Sequence, residues 1–297
     1  MMNLNLLKLR IVELLEKHNK ITTVADILEL KQPTVTFHMK NLERDFGVKL
    51  FEARMGKIIL TDAGYALLHY AVKINALAAE AERVVMEFDT LRRGSIRIGA
   101  SYVPATYVLP AVLHRFVKEH PGIQLSLFVK TAPIVKDMLE HHEIDIGIIS
   151  AEPFTTSTLV ADALCEDELV LIHSPTHPLA TLENLTPDLI ASSSFVLHGK
   201  ESSTRRMTDK WLENHDRRLP YYMELDSLEA IKQAVILGAH VSFVSRMAVQ
   251  SEVDRGLLQM RPIPGNLIER YVYAVTNKER HRSALINQFS SYLSVLD

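Results

Sequence analysis

The chain has 297 residues, 47% of them hydrophobic, with 11 Gly and 12 Pro, which supplies enough apolar side chain for about two packed domains and argues against disorder. No apolar run approaches the ~20 residues of a membrane span, and the first ten residues carry neither a signal-peptide apolar core nor a small-residue cleavage site, so a cytoplasmic protein is expected. Cys165 is the single cysteine and excludes an intrachain disulfide framework; the net charge of −3 hides an asymmetry, because residues 1–60 hold 10 Lys+Arg against 7 Asp+Glu and the remainder 23 against 29.

Leu4, Leu7, Ile11, Leu14 and Leu15 predict a first helix over Leu4 to Lys17, with Asn3 as its cap. Thr22 or Thr23 can cap a second, because a hydroxyl accepts from an unpaired N–H of the first turn. Val24, Ala25 and Leu28 mark its buried face. A third can begin at Pro33, which is preset for a first helical position. Val35, Met39 and Leu42 follow at spacings of four and three and face inward. Gln32, Pro33, Thr34, Thr36, Phe37, His38 and Lys40 are left on exposed or half-exposed faces. Their amide, hydroxyls, imidazole and ammonium suit base edges and phosphates in a major groove. Gly47 is the expected C-cap, and Arg54-Met55-Gly56-Lys57 makes a basic turn before the β-like run Ile58-Ile59-Leu60. Together these predict a winged helix-turn-helix DNA-binding domain over residues 1–60. A plain helical hairpin with a polar outer face shares the periodicity.

The residues add to the periodicity. This stretch resembles the N-terminal domain of the LysR-type transcriptional regulators. The resemblance rests on Val24-Ala25, on Gln32-Pro33 followed by Val35-Thr36, on Leu42-Glu43, on Gly47 with Leu50-Phe51, and on Leu60-Thr61 with Ala63-Gly64. It extends more weakly along nearly the whole chain. Lys31 departs from the serine usual before Gln-Pro, Val24 replaces the first of two alanines, and Ala53 stands where an arginine commonly follows. What the resemblance implies is a regulator that binds double-stranded DNA at a dyad-related site. Arg54 and Lys57 would flank the reading helix at the backbone or minor groove.

Thr61-Asp62 can cap a long helix reaching about Leu91, with no Gly or Pro between Tyr65 and Leu91. Leu67, Tyr70, Ile74, Leu77, Ala81, Val84 and Phe88 alternate spacings of three and four, a heptad seam that favours self-association. One amphipathic helix packed on its own domain is the plainer alternative. By the resemblance, residues 61–93 are the linker helix that pairs chains in a homodimer or homotetramer.

From Ser95 onward strands and helices alternate. Strands are predicted at Ile96 to Ala100, Ile123 to Val129, Ile144 to Ile149, Leu169 to His173, Phe195 to Leu197, Val241 to Val244 and Tyr271 to Val275. Helices are predicted at Val108 to His120, Ile134 to His142, Thr204 to Asn214, Ser227 to Leu237 and Ser283 to Leu296. This order predicts an α/β effector-binding domain over residues 94–297, with largely parallel sheet. Two crossings divide it like a periplasmic-binding-protein-like sensor: lobe I is residues 95–162 and 268–297, and lobe II is residues 163–267.

No hydrolase, metalloprotease or P-loop motif is present, so no catalytic role is expected. His173 and His177 have Pro175 between them and cannot share a helical face, which argues against a metal site. Cys165 neighbours Glu166, Asp167 and Glu168, whose charge disfavours a thiolate. The hydroxyls are more informative. Ser101, Thr131 and Ser150 follow three predicted strands, and Ser202, Ser203 and Thr204 precede a helix. Ordinary capping explains any one of them. Their shared place at strand ends and a helix start points to an anion site. Lys130 and Arg205 stand beside two of them and could add charge. The function expected is therefore a sequence-specific DNA-binding regulator controlled by a small anionic metabolite, a carboxylate or inorganic oxyanion, bound between the lobes. No resident cofactor, metal or membrane is expected. The competing reading is a cytoplasmic small-solute-binding protein without DNA function.

Overall fold

The computed structural model describes residues 4–87, 94–265 and 269–294. Its contacts divide the chain into an N-terminal and a larger C-terminal unit. In the N-terminal unit, α1 (Leu6–His18) is capped by Asn5, whose side-chain oxygen accepts from the Lys8 N–H at 3.0 Å; the expected cap, Asn3, lies outside the described residues. α2 (Ile21–Ile27) starts a residue before the threonines: Lys20 is its N-cap, with no side-chain cap bond, and Thr22 and Thr23 lie inside the first turn. α3 (Gln32–Phe46) holds Pro33 in its first turn, where the missing N–H costs nothing. It ends at Gly47, whose φ of +70° closes the helix with an N–H bond to the Glu43 carbonyl at 2.8 Å. Ile11, Val12, Leu15, Val24, Ala25, Val35, Met39 and Leu42 meet in one core.

The wing is a hairpin. β1 (Phe51–Arg54) and β2 (Lys57–Leu60) pair antiparallel. The two residues between them, Met55 and Gly56, have φ of 48° and 76°, the turn whose twist matches a two-stranded ribbon. Glu43 anchors its root: one carboxylate oxygen accepts from the N–H groups of Leu50 at 3.0 Å and Phe51 at 3.2 Å. α4 (Asp62–Glu87) follows. The Thr61 hydroxyl accepts from the Gly64 N–H at 3.1 Å and donates to the Lys49 carbonyl at 2.7 Å. A Cβ at Gly64 would collide with the Leu50 carbonyl oxygen, so only glycine lets the first turn of α4 lie on the wing root.

The predicted seam on α4 divides. Leu67 faces the N-terminal core instead of solvent. Tyr70, Ile74, Leu77 and Ala81 are exposed, and so is Val85. The Val84 side chain, Phe88 and the predicted helix end near Leu91 lie outside the described residues.

The C-terminal unit carries two mixed sheets. The chain runs β3 (Gly94–Ala100), α5 (Leu109–Glu119), β4 (Ile123–Val129), α6 (Ala132–Glu140), β5 (Ile146–Ala151) and β6 (Leu159–Glu166) through lobe I. It then runs β7 (Leu169–His173), α7 (Pro187–Ala191), β8 (Phe195–His198), α8 (Ser203–Asn214), β9 (Tyr222–Leu225), α9 (Leu228–Ile236), β10 (Val241–Ser245), α10 (Gln250–Asp254) and β11 (Gln259–Pro262) through lobe II. β12 (Tyr271–Asn277) and α11 (Ala284–Leu293) return to lobe I. The sheet orders are β4-β3-β5-β12-β6 and β11-β7-β10-β8-β9. β3 is parallel to β4 and β5, whereas β12 runs antiparallel to β5 and β6, because it enters from the other lobe. β6 was not among the predicted strands. It pairs with β12 as far as Glu166, so the first crossing falls after Glu166 and the expected lobe boundary at residue 162 is corrected. A separate apolar cluster covers each face of each sheet.

Candidate effector cleft and DNA-reading face

On α3, Gln32, Thr36 and Lys40 recur every four residues, as do Pro33 and Phe37, so they form two adjacent strips of one helix face. Gln32, Pro33, Phe37 and Lys40 are exposed, and Thr34, Thr36 and His38 are half-buried. The Thr36 hydroxyl donates to the Gln32 carbonyl at 3.1 Å and keeps its lone pairs outward. His38 Nδ1 is buried without a partner. Phe37 is 59% exposed, a large apolar ring that folding alone does not account for. Arg54 and Lys57 face each other across the wing register, an arrangement that is mildly repulsive in the free protein. Glu52 offsets it with an exposed ion pair to Arg54 at 3.0 Å. A hairpin tip that concentrates like charge suits a phosphate backbone.

In the C-terminal unit a cleft of ≈ 450 Å³ opens at the C-terminal ends of β3, β4 and β8. Ser101, Thr131, Ser202, Ser203 and Thr204 all line it. Ser150 does not: it is buried, and its N–H donates to Ser101 Oγ at 2.9 Å, so it orients Ser101 from behind. Thr131 Oγ1 is buried without a partner. Ser202 caps α8 by accepting from the Thr204 N–H at 3.2 Å, which points the first turn of that helix at the cleft.

The charges are distributed differently from the expectation. Lys130 lines the cleft, but Arg205 does not. Its guanidinium is bound to Asp209 at 3.0 Å, to Glu224 at 2.7 Å and to the His198 carbonyl at 3.0 Å, so its charge is spent inside lobe II. The buried cation of the cleft is Arg270, which the sequence reading did not single out. It lies just before β12, where the chain crosses back to lobe I, and is 4% exposed. Nη1 donates to Thr204 Oγ1 at 3.1 Å, and Nη2 lies 3.1 Å from Asp167 Oδ2 on the other crossing. Its Nε has no partner. Burial pushes the Arg270 pKa down while Asp167 holds it up. Asp167 is fully buried and also receives the Ser245 hydroxyl.

His198, at the end of β8, also lines the cleft. Its Nε2 lies 3.2 Å from the Phe243 carbonyl. Burial, reinforced by the neighbouring Arg270, pushes this imidazole down to about 4. On another side the lobes are tied together. Lys232 on α9, 3% exposed, lies 2.6 Å from Glu252 and 3.3 Å from the Tyr107 hydroxyl of lobe I. Burial alone would lower the Lys232 pKa, but Glu252, Glu229 and Tyr107 outweigh it and raise it. Among the described residues no His, Cys, Asp and Glu side chains gather as a metal site, and no helix is long and apolar enough to cross a membrane.

Comparison with known proteins gives the same two parts. Residues 6–65 match the family described as "Bacterial regulatory helix-turn-helix protein, lysR family", and residues 89–295 match "LysR substrate binding domain". A probable RuBisCO transcriptional regulator from Synechocystis is 32% identical over 303 residues, covering 98% of this chain and 88% of that protein. Full-length OxyR from Pseudomonas aeruginosa, solved as a cysteine variant, superposes with a TM-score of 0.75 at 22% identity, over 99% of this chain and 96% of that one. The regulatory domain of Synechocystis CcmR, solved in complex with 2-PG, superposes with a TM-score of 0.63 at 27% identity, over 68% of this chain and 96% of that one.

Proposed function

The chain belongs to the LysR family of transcriptional regulators, and from that premise we propose how it acts. The face of α3 from Gln32 to Lys40 enters the major groove, with Arg54 and Lys57 on the flanking backbone. Two copies pair through the exposed strip from Tyr70 to Ala81, within a homodimer or homotetramer, and read a dyad-related DNA site. A small anionic metabolite in the cleft between lobes I and II sets the state of the assembly. The protein works in the cytoplasm by binding, not by catalysis. The helix-turn-helix match sets aside a solute-binding protein without DNA function.

One observation carries the anion reading: Arg270, buried and with an unpaired Nε, lines the same cleft as Thr131, whose hydroxyl is also unpaired, and the first turn of α8. An N–H of a guanidinium can only donate, and a buried donor without a partner is costly. A carboxylate or other oxyanion satisfies it. That CcmR was solved with 2-PG supports the same class of ligand. The ligand acts as a switch only if it favours one lobe arrangement, since equal affinity for both shifts nothing.

The test is a thermal-shift screen of the full-length protein against carboxylates, phosphates and neutral analogues, repeated with Arg270→Gln. An anion present at 100 times its dissociation constant should stabilise the wild type by about 2.7 kcal/mol and leave Arg270→Gln unmoved. Stabilisation only by uncharged, apolar compounds would overturn the anion reading and leave the DNA-binding assignment standing.

A further inference from the structure

His198 requires something of a ligand that charge does not supply. Its Nε2 faces the Phe243 carbonyl, which has no proton to give. Nε2 therefore carries the hydrogen, and Nδ1 is left as a bare acceptor in a neutral ring. No hydrogen bond of the described residues reaches Nδ1, and it is not one of the buried unpaired atoms, so it is open to solvent and to a ligand. The buried unpaired groups of residues that line the same cleft are of the opposite kind. Arg270 Nε–H can only donate, and the Thr131 hydroxyl can donate.

An oxyanion oxygen satisfies Arg270 and Thr131 but not His198. An ionised carboxylate or phosphate oxygen brings no hydrogen, so against Nδ1 it places acceptor on acceptor. Protonating the ring instead is opposed by its burial and by Arg270. A cleft that presents these donors together with acceptors, Nδ1 and the exposed carboxylates of Glu201 and Asp226, selects a ligand with both functions.

Resting on the anion reading above, we infer that the effector is a hydroxy acid, an anion whose carbon skeleton carries a free hydroxyl. The hydroxyl donates to His198 Nδ1 while the charged oxygens meet Arg270 and Thr131. His198 is thus a specificity-determining residue that sorts hydroxylated anions from their deoxy counterparts.

The experiment is calorimetry on full-length protein at neutral pH, with pairs of anions that differ by one hydroxyl: malate and succinate, lactate and propionate, 2-hydroxyethyl phosphate and ethyl phosphate. At least one hydroxylated member should bind about tenfold more tightly than its partner, the worth of one hydrogen bond to an acceptor otherwise left bare. His198→Phe should lose that preference and retain the weaker, charge-driven binding. His198→Gln, which keeps a carbonyl acceptor, should regain part of it, and this separates a lost acceptor from lost packing. Nitrogen-15 spectra of the histidine-labelled protein check the tautomer without any ligand. A protonated Nδ1 at neutral pH overturns the inference. Equal affinity within every pair overturns the hydroxyl requirement and leaves the anion reading intact, whereas binding of none of these anions overturns both.

Discussion

Replacing Arg270 with methionine tests the centre of the cleft. The side chain is 4% exposed and its partner Asp167 is fully buried. Removing one member of a buried ion pair strands the other, at a cost of about 3–5 kcal/mol. Thr204 Oγ1 also loses its donor, about 1 kcal/mol more. The Ser245 hydroxyl stays on Asp167 and offsets part of this, so we expect the variant to lose about 3 kcal/mol. The probe is built in: Trp211 is the only tryptophan in the sequence, is 2% exposed and stacks edge-on against Phe243 in the core of lobe II. Urea unfolding followed by its fluorescence should show a midpoint lower by about 1–3 M. The double variant Arg270→Met/Asp167→Leu removes both charges and should recover most of the loss, because a buried pair replaced by apolar groups is close to neutral. Neither variant should bind the anion. A single variant within about 0.5 kcal/mol of wild type, or a double variant no more stable than the single, would refute the pairing argument.

Three further outcomes are expected. Arg54→Ala should weaken binding to all DNA sequences and reduce the salt slope by about one, while Gln32→Ala or Thr36→Ala should change site preference in a binding-site selection; unchanged affinity and preference in all three would mean that the docking face is misassigned. Ile74→Asp with Leu77→Asp puts two carboxylates on the exposed strip of α4, and burying them in a seam costs several kcal/mol. Sedimentation should then show a smaller species that binds a palindromic site poorly, and an unchanged oligomer would place the interface elsewhere. Acid should destabilise lobe II. His198 falls from 6.5 to about 4 on folding, so the unfolded chain takes up a proton first and stability, full above about pH 6.5, declines by roughly 3 kcal/mol as the pH drops toward 4. His173 and His177, also lowered by burial, add to the loss in the same direction. Urea titrations across this range should show a flatter decline in His198→Phe, and a parallel one would remove His198 as a cause.

What was legible in the chain follows from how local each feature is. β4 and β7 run over the predicted residues because alternation in the one and a continuous apolar run in the other are short-range signals. β6 was not, since it is only partly buried along most of its length and carries Asp162 and Glu166; its strand character comes from pairing with β12, more than a hundred residues later. β9 and β11 are short edge strands and equally weak in pattern. The cleft hydroxyls could be found because each follows a strand or opens a helix. Arg270 could not, because one arginine before a strand says nothing until the crossing places it against Asp167 and Thr204. Arg205 misled for the opposite reason: its neighbours in sequence lie at the cleft, but Asp209 and Glu224 turn its charge away.

Gly64 has a mechanical consequence. Where the first turn of α4 meets the wing root, backbone rests on backbone, and no rotamer there can give way. Thr61 spans the same joint with two hydrogen bonds. The start of α4 is therefore fastened to the root of the wing, so a turn of the helix about its axis carries the root of the hairpin that bears Arg54 and Lys57. At 26 residues the helix is about 39 Å long, so a tilt of about 5° that pivots at its far end moves the root of the hairpin by roughly 3 Å, enough to make or break a contact with a phosphate.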